Sequence, residues 1–109
     1  MPLSAALARR VVEQAVATTF QVPLRELRAR TRRKAPVAFA RQVAMYLAHV
    51  AYGLTLTEVG TLFGRDRTTV AYACRVVEDR RDDCVFDVFL DHLETAIVRL
   101  TSALNVLES

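Results

Sequence analysis

The residues best equipped for binding chemistry lie together at positions 65–69. This segment, RDRTT, places two guanidinium groups, one carboxylate and two hydroxyls within little more than one helical turn. Guanidinium and hydroxyl groups bind phosphates and base edges, and a carboxylate accepts a hydrogen bond from cytosine. The segment opens the second of two helical patterns within residues 55–78, TLTEVGTLFGRDRTTVAYACRVVE. Because a helix-turn-helix offers this end of its second helix to the major groove, the pattern predicts binding to double-stranded DNA.

A second concentration of charge lies in residues 28–34, RARTRRK, where five of seven residues are basic. We expect a loop or a frayed helix end here. Such runs are usually solvated surface, but this one directly precedes a long helical pattern, which favours contact with DNA. Residues 1–81 carry a net charge of +8 and residues 82–109 one of −5. The first part could face a polyanion that would repel the acidic tail.

Arginine dominates the basic residues, at fourteen of fifteen. Arginine forms bidentate bonds to phosphate and guanine that lysine cannot form. A genome rich in arginine codons explains the same bias equally well. The bias alone therefore does not choose between a DNA-binding surface and codon usage.

Length and composition indicate one folded domain over residues 1–109. Of the 109 residues, 52% are hydrophobic and 25% charged, which is ordinary for a soluble protein with a modest core. The first twenty residues hold Arg9, Arg10 and Glu13 within an apolar period, so we expect an amphipathic helix and no secretory signal. The two cysteines and two histidines have no spacing typical of zinc sites or disulfide frameworks. We expect a cytoplasmic, nucleoid-associated protein.

Helical periodicity runs through the chain, and no segment alternates with period two over the length of a strand. The pattern predicts an all-α fold, a compact bundle of five to six helices that contains a helix-turn-helix. The helix-turn-helix is expected at about residues 55–80. The other expected helices span residues 4–19, 24–27, 36–52 and 84–107.

Several residues mark where these helices begin, end and touch. Thr55 and Glu58 have the spacing of a capping box, in which each side chain satisfies the other residue's amide. Gly53 follows the last apolar position of its helix, where a left-handed cap favours glycine. Gly60 would allow two helices to approach closely. Asp66 could cap the second helix, read a base, or do both.

The last helix allows a different interpretation. Residues 79–83, DRRDD, are expected to form a charged break before it, and its carboxylates a solvated face. Its apolar side is expected to hold Val85, Phe86, Phe89, Leu93, Ile97, Leu100, Leu104 and Leu107. Three further apolar residues, Val88, Leu90 and Val98, lie off that side. They could support a dimer or a partner surface.

Residues 36–78 resemble the C-terminal DNA-binding domain of the bacterial replication initiator DnaA. The matching stretches are ARQVAMYLAHV (40–50), LTLTEVGTLFGRDRTTV (54–70) and ACRVVE (73–78), and with their flanks the similarity covers about residues 20–105. The chain has no Gly-x-x-x-x-Gly-Lys-Ser/Thr phosphate loop, so the initiator's ATPase module is missing. We therefore expect the initiator's DNA-reading domain as a protein of its own.

The resemblance implies a Trp-repressor-like arrangement of the helix-turn-helix and gives roles to the matching residues. In the family, an Asp and two Thr at the start of the second helix reach the major groove, and a basic loop inserts an Arg into the minor groove. The implied base contacts are Asp66, Arg67, Thr68, Thr69 and Arg33. The implied phosphate contacts are Arg32, Lys34, Arg41, Gln42 and Arg65, which Arg75 joins from the outward face of the second helix.

Two departures from the family pattern concern the preferred DNA sequence. Arg67 stands where the family has His, and a guanidinium seeks guanine or phosphate where a neutral imidazole packs near a thymine methyl. One glycine of the usual Gly-Gly turn is missing, which leaves Gly64. We expect a target related to the initiator's box, with a G-containing step opposite Arg67.

These observations favour a non-enzymatic, sequence-specific DNA-binding protein that regulates transcription or replication initiation. The expected partner is double-stranded DNA, and the expected state is a monomer or weak homodimer. We expect no catalytic residue, metal, cofactor, nucleotide or membrane contact. The alternative is a protein-interaction module or dimerising adaptor that uses the acidic C-terminal helix.

Overall fold

The computed structural model describes residues 5–29 and 35–108. Within these ranges it contains six helices and no strand, which confirms the all-α prediction. The helices are α1 (Ala5–Phe20), α2 (Leu24–Arg28), α3 (Ala35–Tyr52), α4 (Leu56–Phe63), α5 (Arg67–Arg80) and α6 (Cys84–Glu108). None of the described helices has the length and apolar content that crossing a membrane would need.

Helix α3 forms the centre of the bundle and packs against each of the other five helices. Its buried stripe follows the 3.6-residue period through Ala40, Val43, Ala44 and Leu47, all essentially inaccessible to solvent. The two alanines leave room for close neighbours. Four tilted phenylalanine rings join the end of α1 and the start of α3 to the first turns of α6, with centroids about 6 Å apart.

A smaller apolar cluster fixes the helix-turn-helix against α3. Met45 and Ala48 of α3 meet Val59 of α4 and Val70 and Ala73 of α5, and all five are buried. Because both helices of the motif share this cluster, the angle between α4 and α5 is set by packing as well as by the turn.

The predicted end of α3 and the predicted capped start of α4 are confirmed. The Thr55 hydroxyl accepts from the Glu58 amide at 3.1 Å, and the Glu58 carboxylate accepts from the Thr55 amide at 2.8 Å. Gly53 and Gly64 have φ angles of 66° and 67°, the left-handed conformation that ends each helix at least cost with glycine. Because Thr55 caps the start of α4 and Gly64 caps its end, the length of α4 is closely defined.

The predicted apolar side of α6 is wrong at four positions. Leu90, expected off that side, is fully buried, whereas Val85, Leu100 and Leu107 are 77%, 48% and 81% exposed. The core-facing side holds the buried Leu90, Leu93, Ile97 and Thr101 and the half-buried Phe86, Phe89 and Leu104. Its spacings of three and four residues follow the helical period, and it faces α1 and α3. The predicted set was broader than the face that these two helices cover.

The charged residues between α5 and α6 are more ordered than a solvated break. Helix α5 continues to Arg80, and the next residue, Arg81, forms ion pairs with Asp87 and Asp91 of α6. Arg81 also donates to the Tyr46 hydroxyl at 2.8 Å. Asp83 accepts from the amides of residues 85 and 86 at the start of α6. This part of the chain therefore anchors α6 to α3.

Candidate nucleic-acid interface

The exposed start of α5 is ordered by the side chain of Asp66. Asp66 is the N-cap residue, and its Oδ1 atom accepts from the Thr69 amide at 3.0 Å and from the Thr68 hydroxyl at 2.7 Å. The Thr68 hydroxyl, followed by the Thr69 amide, holds the pKa of this carboxyl below its ordinary value of 3.8. The carboxylate is therefore ionised at neutral pH and supports the helix end while facing solvent.

The same bond defines what Thr68 can offer a ligand. Its hydroxyl proton points to Asp66, so the oxygen can accept a hydrogen bond and the methyl group can make an apolar contact. Arg67 and Thr69 beside it are also exposed. The end of α5 thus presents hydrogen-bond acceptors, a methyl group and a guanidinium, which are the groups that read bases in the major groove.

The turn before α5 is held tightly against α4. The Gly60 carbonyl accepts from the Arg65 amide at 2.8 Å, and a Cβ atom on Gly60 would lie 2.6 Å from the Arg65 carbonyl oxygen. The predicted close approach at Gly60 is therefore present, but its partner is the backbone of the turn. It fixes where α5 starts relative to α4.

Helix α5 has one buried face and one exposed face. Val70, Ala73 and Val77 are buried, whereas Tyr72 and Arg75 are exposed along with the start of the helix. Tyr72 is 59% exposed one turn beyond Thr68. The exposed face is polar and basic for its first three turns.

Two of the predicted phosphate-binding arginines also make contacts within the protein. Arg41 of α3 donates to the carbonyls of Leu27 and Glu26, at 3.1 and 2.8 Å, and so caps the end of α2. Arg65 donates to the Ala29 carbonyl at 3.4 Å. Both residues thus hold the segment that leads into the predicted basic loop close to the helix-turn-helix.

The remaining predicted contacts divide into two groups. Gln42 is half-buried on α3 beside Arg41, and Arg75 is exposed on α5. Arg32, Arg33 and Lys34 lie outside the described residues. Contact of any of these residues with DNA remains a prediction.

A buried acid near these arginines was not among the predicted site residues. Glu13 of α1 is only 2% exposed, and its carboxylate accepts from Arg28 at 2.9 Å and from Arg9 at 3.0 Å. Arg9 in turn donates to the Leu62 carbonyl of α4 at 2.7 Å and lies over the Phe63 ring. The available signal was a charged residue between apolar positions of one helical stripe, with Arg9 four residues before it.

Residues 10–77 match a known protein family, which is described as bacterial dnaA protein helix-turn-helix. The chain belongs to this DnaA family. The match begins in α1 and ends in α5, so it starts earlier than the resemblance in the sequence suggested and leaves α6 outside.

Several curated relatives align with the same part of the chain. The chromosomal replication initiator protein DnaA 2 of Chlamydia trachomatis is 43% identical over 67 residues, which cover 62% of this chain and 14% of that protein. The DnaA of Symbiobacterium thermophilum is 36% identical over 84 residues, covering 75% and 18%. That of Bordetella pertussis is 41% identical over 71 residues, covering 64% and 15%. The chain thus matches less than a fifth of each relative's length.

The helix-turn-helix lies in the part of the chain that matches the DnaA family. The helix-turn-helix of this family is a DNA-binding module, and α4 and α5 lie entirely or largely within the matched residues. The matched residues include the start of α5, the tight turn at Gly60, and three arginines around α2, namely Arg28, Arg41 and Arg65.

Proposed function

We propose that this domain binds a specific site in double-stranded DNA with the start of α5 in the major groove. The observation that carries the proposal is the exposed and hydrogen-bonded group formed by Asp66, Thr68 and Thr69 in a chain of the DnaA family. These side chains are held in place before DNA arrives, so little conformational entropy is lost on binding. Preordering of this kind favours discrimination between base pairs.

Each side chain at this end of α5 has a distinct chemical role in the proposal. Arg67 reads guanine through its fork of N–H donors, and Asp66 accepts from a cytosine amino group while it continues to cap the helix. Thr68 and Thr69 contact a thymine methyl or accept from a base amino group. Arg33 reads the minor groove from the basic loop.

Phosphate contacts supply affinity and set the register on the duplex. The proposed set is Arg32, Lys34, Arg41, Gln42, Arg65 and Arg75. Since each neutralised phosphate releases condensed counterions, binding weakens steeply as salt rises. The net charge of +8 over residues 1–81 supports this mode of binding.

The curated relatives are named chromosomal replication initiators, so we propose a target related to the initiator's box. A domain that occupies such sites regulates replication initiation or the transcription of genes beside them. Either use places it on the nucleoid, as a monomer or weak homodimer.

A second candidate function is protein interaction through α6. It is favoured by the exposure of Val85 and Leu107, at 77% and 81%, on a helix outside the family match. Mass measured as a function of concentration at moderate salt tests it. A tight dimer supports this candidate, and a monomer that still binds DNA removes its main support.

The decisive experiment is selection from a randomised duplex pool, followed by titration of the selected site. We expect Thr68→Ala to relax the preference at one position, with a loss of about 1–3 kcal/mol for the preferred base. Arg75→Ala should weaken binding to all sequences alike and lower the salt slope by about one unit. Ser102→Ala, exposed on α6, is the matched control and should bind as the wild type does.

The proposal is refuted if the protein shows no sequence preference. If no motif emerges, or if binding to the best duplex is no tighter than roughly 10⁻⁴ to 10⁻⁶ M, the protein has only nonspecific affinity. Direct readout by α5 is then wrong.

A further inference from the structure

We propose that Glu13 is a positioning residue for DNA binding, although it lies inside the protein. Its carboxylate connects the helix-turn-helix to residues 26–29, which we call the loop stem because they lead into the predicted basic loop. The inference rests on the proposed function, since the loop and α5 must contact one duplex at the same time.

The contacts of Glu13 leave its carboxylate with one arginine on each oxygen. Oε1 accepts from Nε of Arg28 at 2.9 Å, and Oε2 accepts from Nε of Arg9 at 3.0 Å. A buried charge is costly unless it is paired and hydrogen-bonded. Because Glu13 is 2% exposed, both arginines are required near it, and their positions are coupled through one carboxylate.

The two arginines lead to different parts of the candidate interface. Arg28 belongs to the loop stem. Arg9 donates to the Leu62 carbonyl at the end of α4, and its guanidinium carbon lies 5.3 Å from the centre of the Phe63 ring. Glu13 therefore links the stem to the first helix of the helix-turn-helix across α1.

The loop stem is held from two further directions. Arg41 of α3 binds the carbonyls of Leu27 and Glu26, and Arg65 of the turn donates to the carbonyl of Ala29. The stem thus receives hydrogen bonds from α3 and from the turn that starts α5. Its distance from the helix-turn-helix is fixed by side chains from both sides.

The Glu13 carboxylate lies among several positively charged arginines. One small cavity is lined by Glu13 together with Arg9, Arg28, Arg41 and Arg65. Four guanidinium groups at such close range repel one another, and the carboxylate offsets part of that repulsion. Without it, Arg28 is the group most free to move outward, because it is the most exposed of the ion-paired set. The loop stem would then be held by Arg41 and Arg65 without its link to α1, so its position would be less closely defined.

The positioning role and simple charge balance predict opposite effects on DNA affinity. Loss of a carboxylate from a DNA-binding protein raises its attraction to phosphate, so charge alone predicts tighter binding. Loss of a positioning residue weakens binding to the specific site, because loop and α5 no longer match one duplex. The sign of the change separates the two.

The test compares Glu13→Gln with Glu94→Gln, which removes a half-buried carboxylate from α6, away from the loop stem. Circular dichroism first establishes a temperature at which both variants are folded. We expect Glu13→Gln to lose about tenfold in affinity for the selected site while its affinity for random duplex stays equal or rises. Glu94→Gln should keep both affinities or raise them slightly.

A second readout distinguishes positioning from general destabilisation. In the wild type, Arg33→Ala should weaken binding to the selected site. In the Glu13→Gln protein the same change should cost clearly less, since the loop contact is already impaired. A purely structural role for Glu13 would leave the cost of Arg33→Ala unchanged.

If Glu13→Gln does not fold, Arg28→Gln and Arg25→Gln replace it. Both remove one positive charge from α2, but only Arg28 pairs with Glu13, and Arg25 is exposed. The inference requires a larger loss of specific affinity for Arg28→Gln with equal losses on random duplex. Equal losses on both DNAs would overturn it, as would specific binding by Glu13→Gln that equals that of Glu94→Gln. If the wild type selects no site at all, the proposed function itself has failed.

Discussion

Helices α5 and α6 both bury one apolar stripe in the same bundle, yet they expose different chemistry. Helix α5 exposes threonines and arginines at its start, where Asp66 holds the first turn by hydrogen bonds. Helix α6 exposes aliphatic side chains, among them Val85, Val88 and Leu107. The family match ends within α5 and does not reach α6.

This difference separates what holds the bundle together from what can meet a ligand. The exposed polar groups at the start of α5 are accessible to bases and phosphates. The buried stripe of α6 completes the core against α1 and α3. The comparison therefore predicts that changes in α6 affect stability, while changes around α5 affect DNA binding.

The largest expected effect comes from the core of α6. Leu90→Ala should lower the free energy of unfolding by about 2–5 kcal/mol, because Leu90 is fully buried and the remaining cavity is only partly refilled. Chemical denaturation measures this loss. DNA affinity measured at a temperature where the variant is folded should match that of the wild type.

Val88→Ala is the control on the same helix, since Val88 is 56% exposed. It should change stability by no more than about 0.5 kcal/mol. An equally large loss for Val88→Ala would mean that the exposed face of α6 is buried in an assembly, and the separation of roles would break down.

Next in size is a change that should affect both properties. In Gly60→Ala the new methyl group would meet the Arg65 carbonyl at 2.6 Å, so the turn must open. We expect a loss of about 1–3 kcal/mol in stability, together with weaker specific binding because the start of α5 moves. Thermal melting and titration of the selected duplex measure the two.

Thr61→Ala on the exposed side of α4 is the control and should leave both quantities near their wild-type values. Specific binding by Gly60→Ala that is as tight as in the wild type would show that the position of the turn does not govern readout.

A smaller effect is expected where α6 is anchored. Arg81→Met removes the ion pairs with Asp87 and Asp91 and the hydrogen bond to Tyr46. Because the two carboxylates are partly exposed, we expect a loss of only about 1 kcal/mol, seen in denaturation and reduced at high salt. Arg99→Met, exposed on α6, removes the same charge without these contacts. A weaker specific complex for Arg81→Met than for Arg99→Met would show that α6 influences the α5 surface.

The smallest expected effect is on pH dependence. Hydrogen bonds lower the pKa of Asp66 and of Glu58 below their ordinary values of 3.8 and 4.5. A lowered pKa in the folded state means that the stabilisation is present at neutral pH and is lost as pH falls through the lowered values. Thermal melts at about pH 2 to 5 should therefore show stability falling with pH. Asp66→Asn keeps a good N-cap but cannot titrate, so its stability should fall less steeply. If the stability of Asp66→Asn falls as steeply with pH as that of the wild type, groups other than Asp66 cause the acid sensitivity.

Most of the fold could be predicted from sequence because its determinants are local. Periodicity places the helices, the spacing of Thr55 and Glu58 gives a capping box, and a glycine after an apolar run marks a helix end. The error in α6 has a physical origin: its apolar residues cover more than one face, and only the surface of α1 and α3 decides which face is buried.

The buried ion pairs around Glu13 could not be predicted, because they join residues that are far apart in the sequence. Glu13 pairs with Arg28, fifteen positions away, and Arg9 reaches Leu62, fifty-three positions away. No periodic pattern encodes such pairs, because each is a single side chain meeting another across the bundle. The start of α5 was predictable because Asp66 and Thr69 are neighbours in both sequence and space.

The intrinsic fluorescence of this protein comes from its tyrosines. The chain has three tyrosines and no tryptophan, so its near-ultraviolet emission comes from tyrosine. Tyr46 is buried and its hydroxyl donates to the Glu78 carboxylate, and the Tyr52 hydroxyl shares a hydrogen bond with Thr101. Tyr72 alone among the three is largely open to solvent, and it lies on α5. A duplex that covers α5 will change the surroundings of one fluorophore, so binding can be followed by intrinsic emission without an attached label.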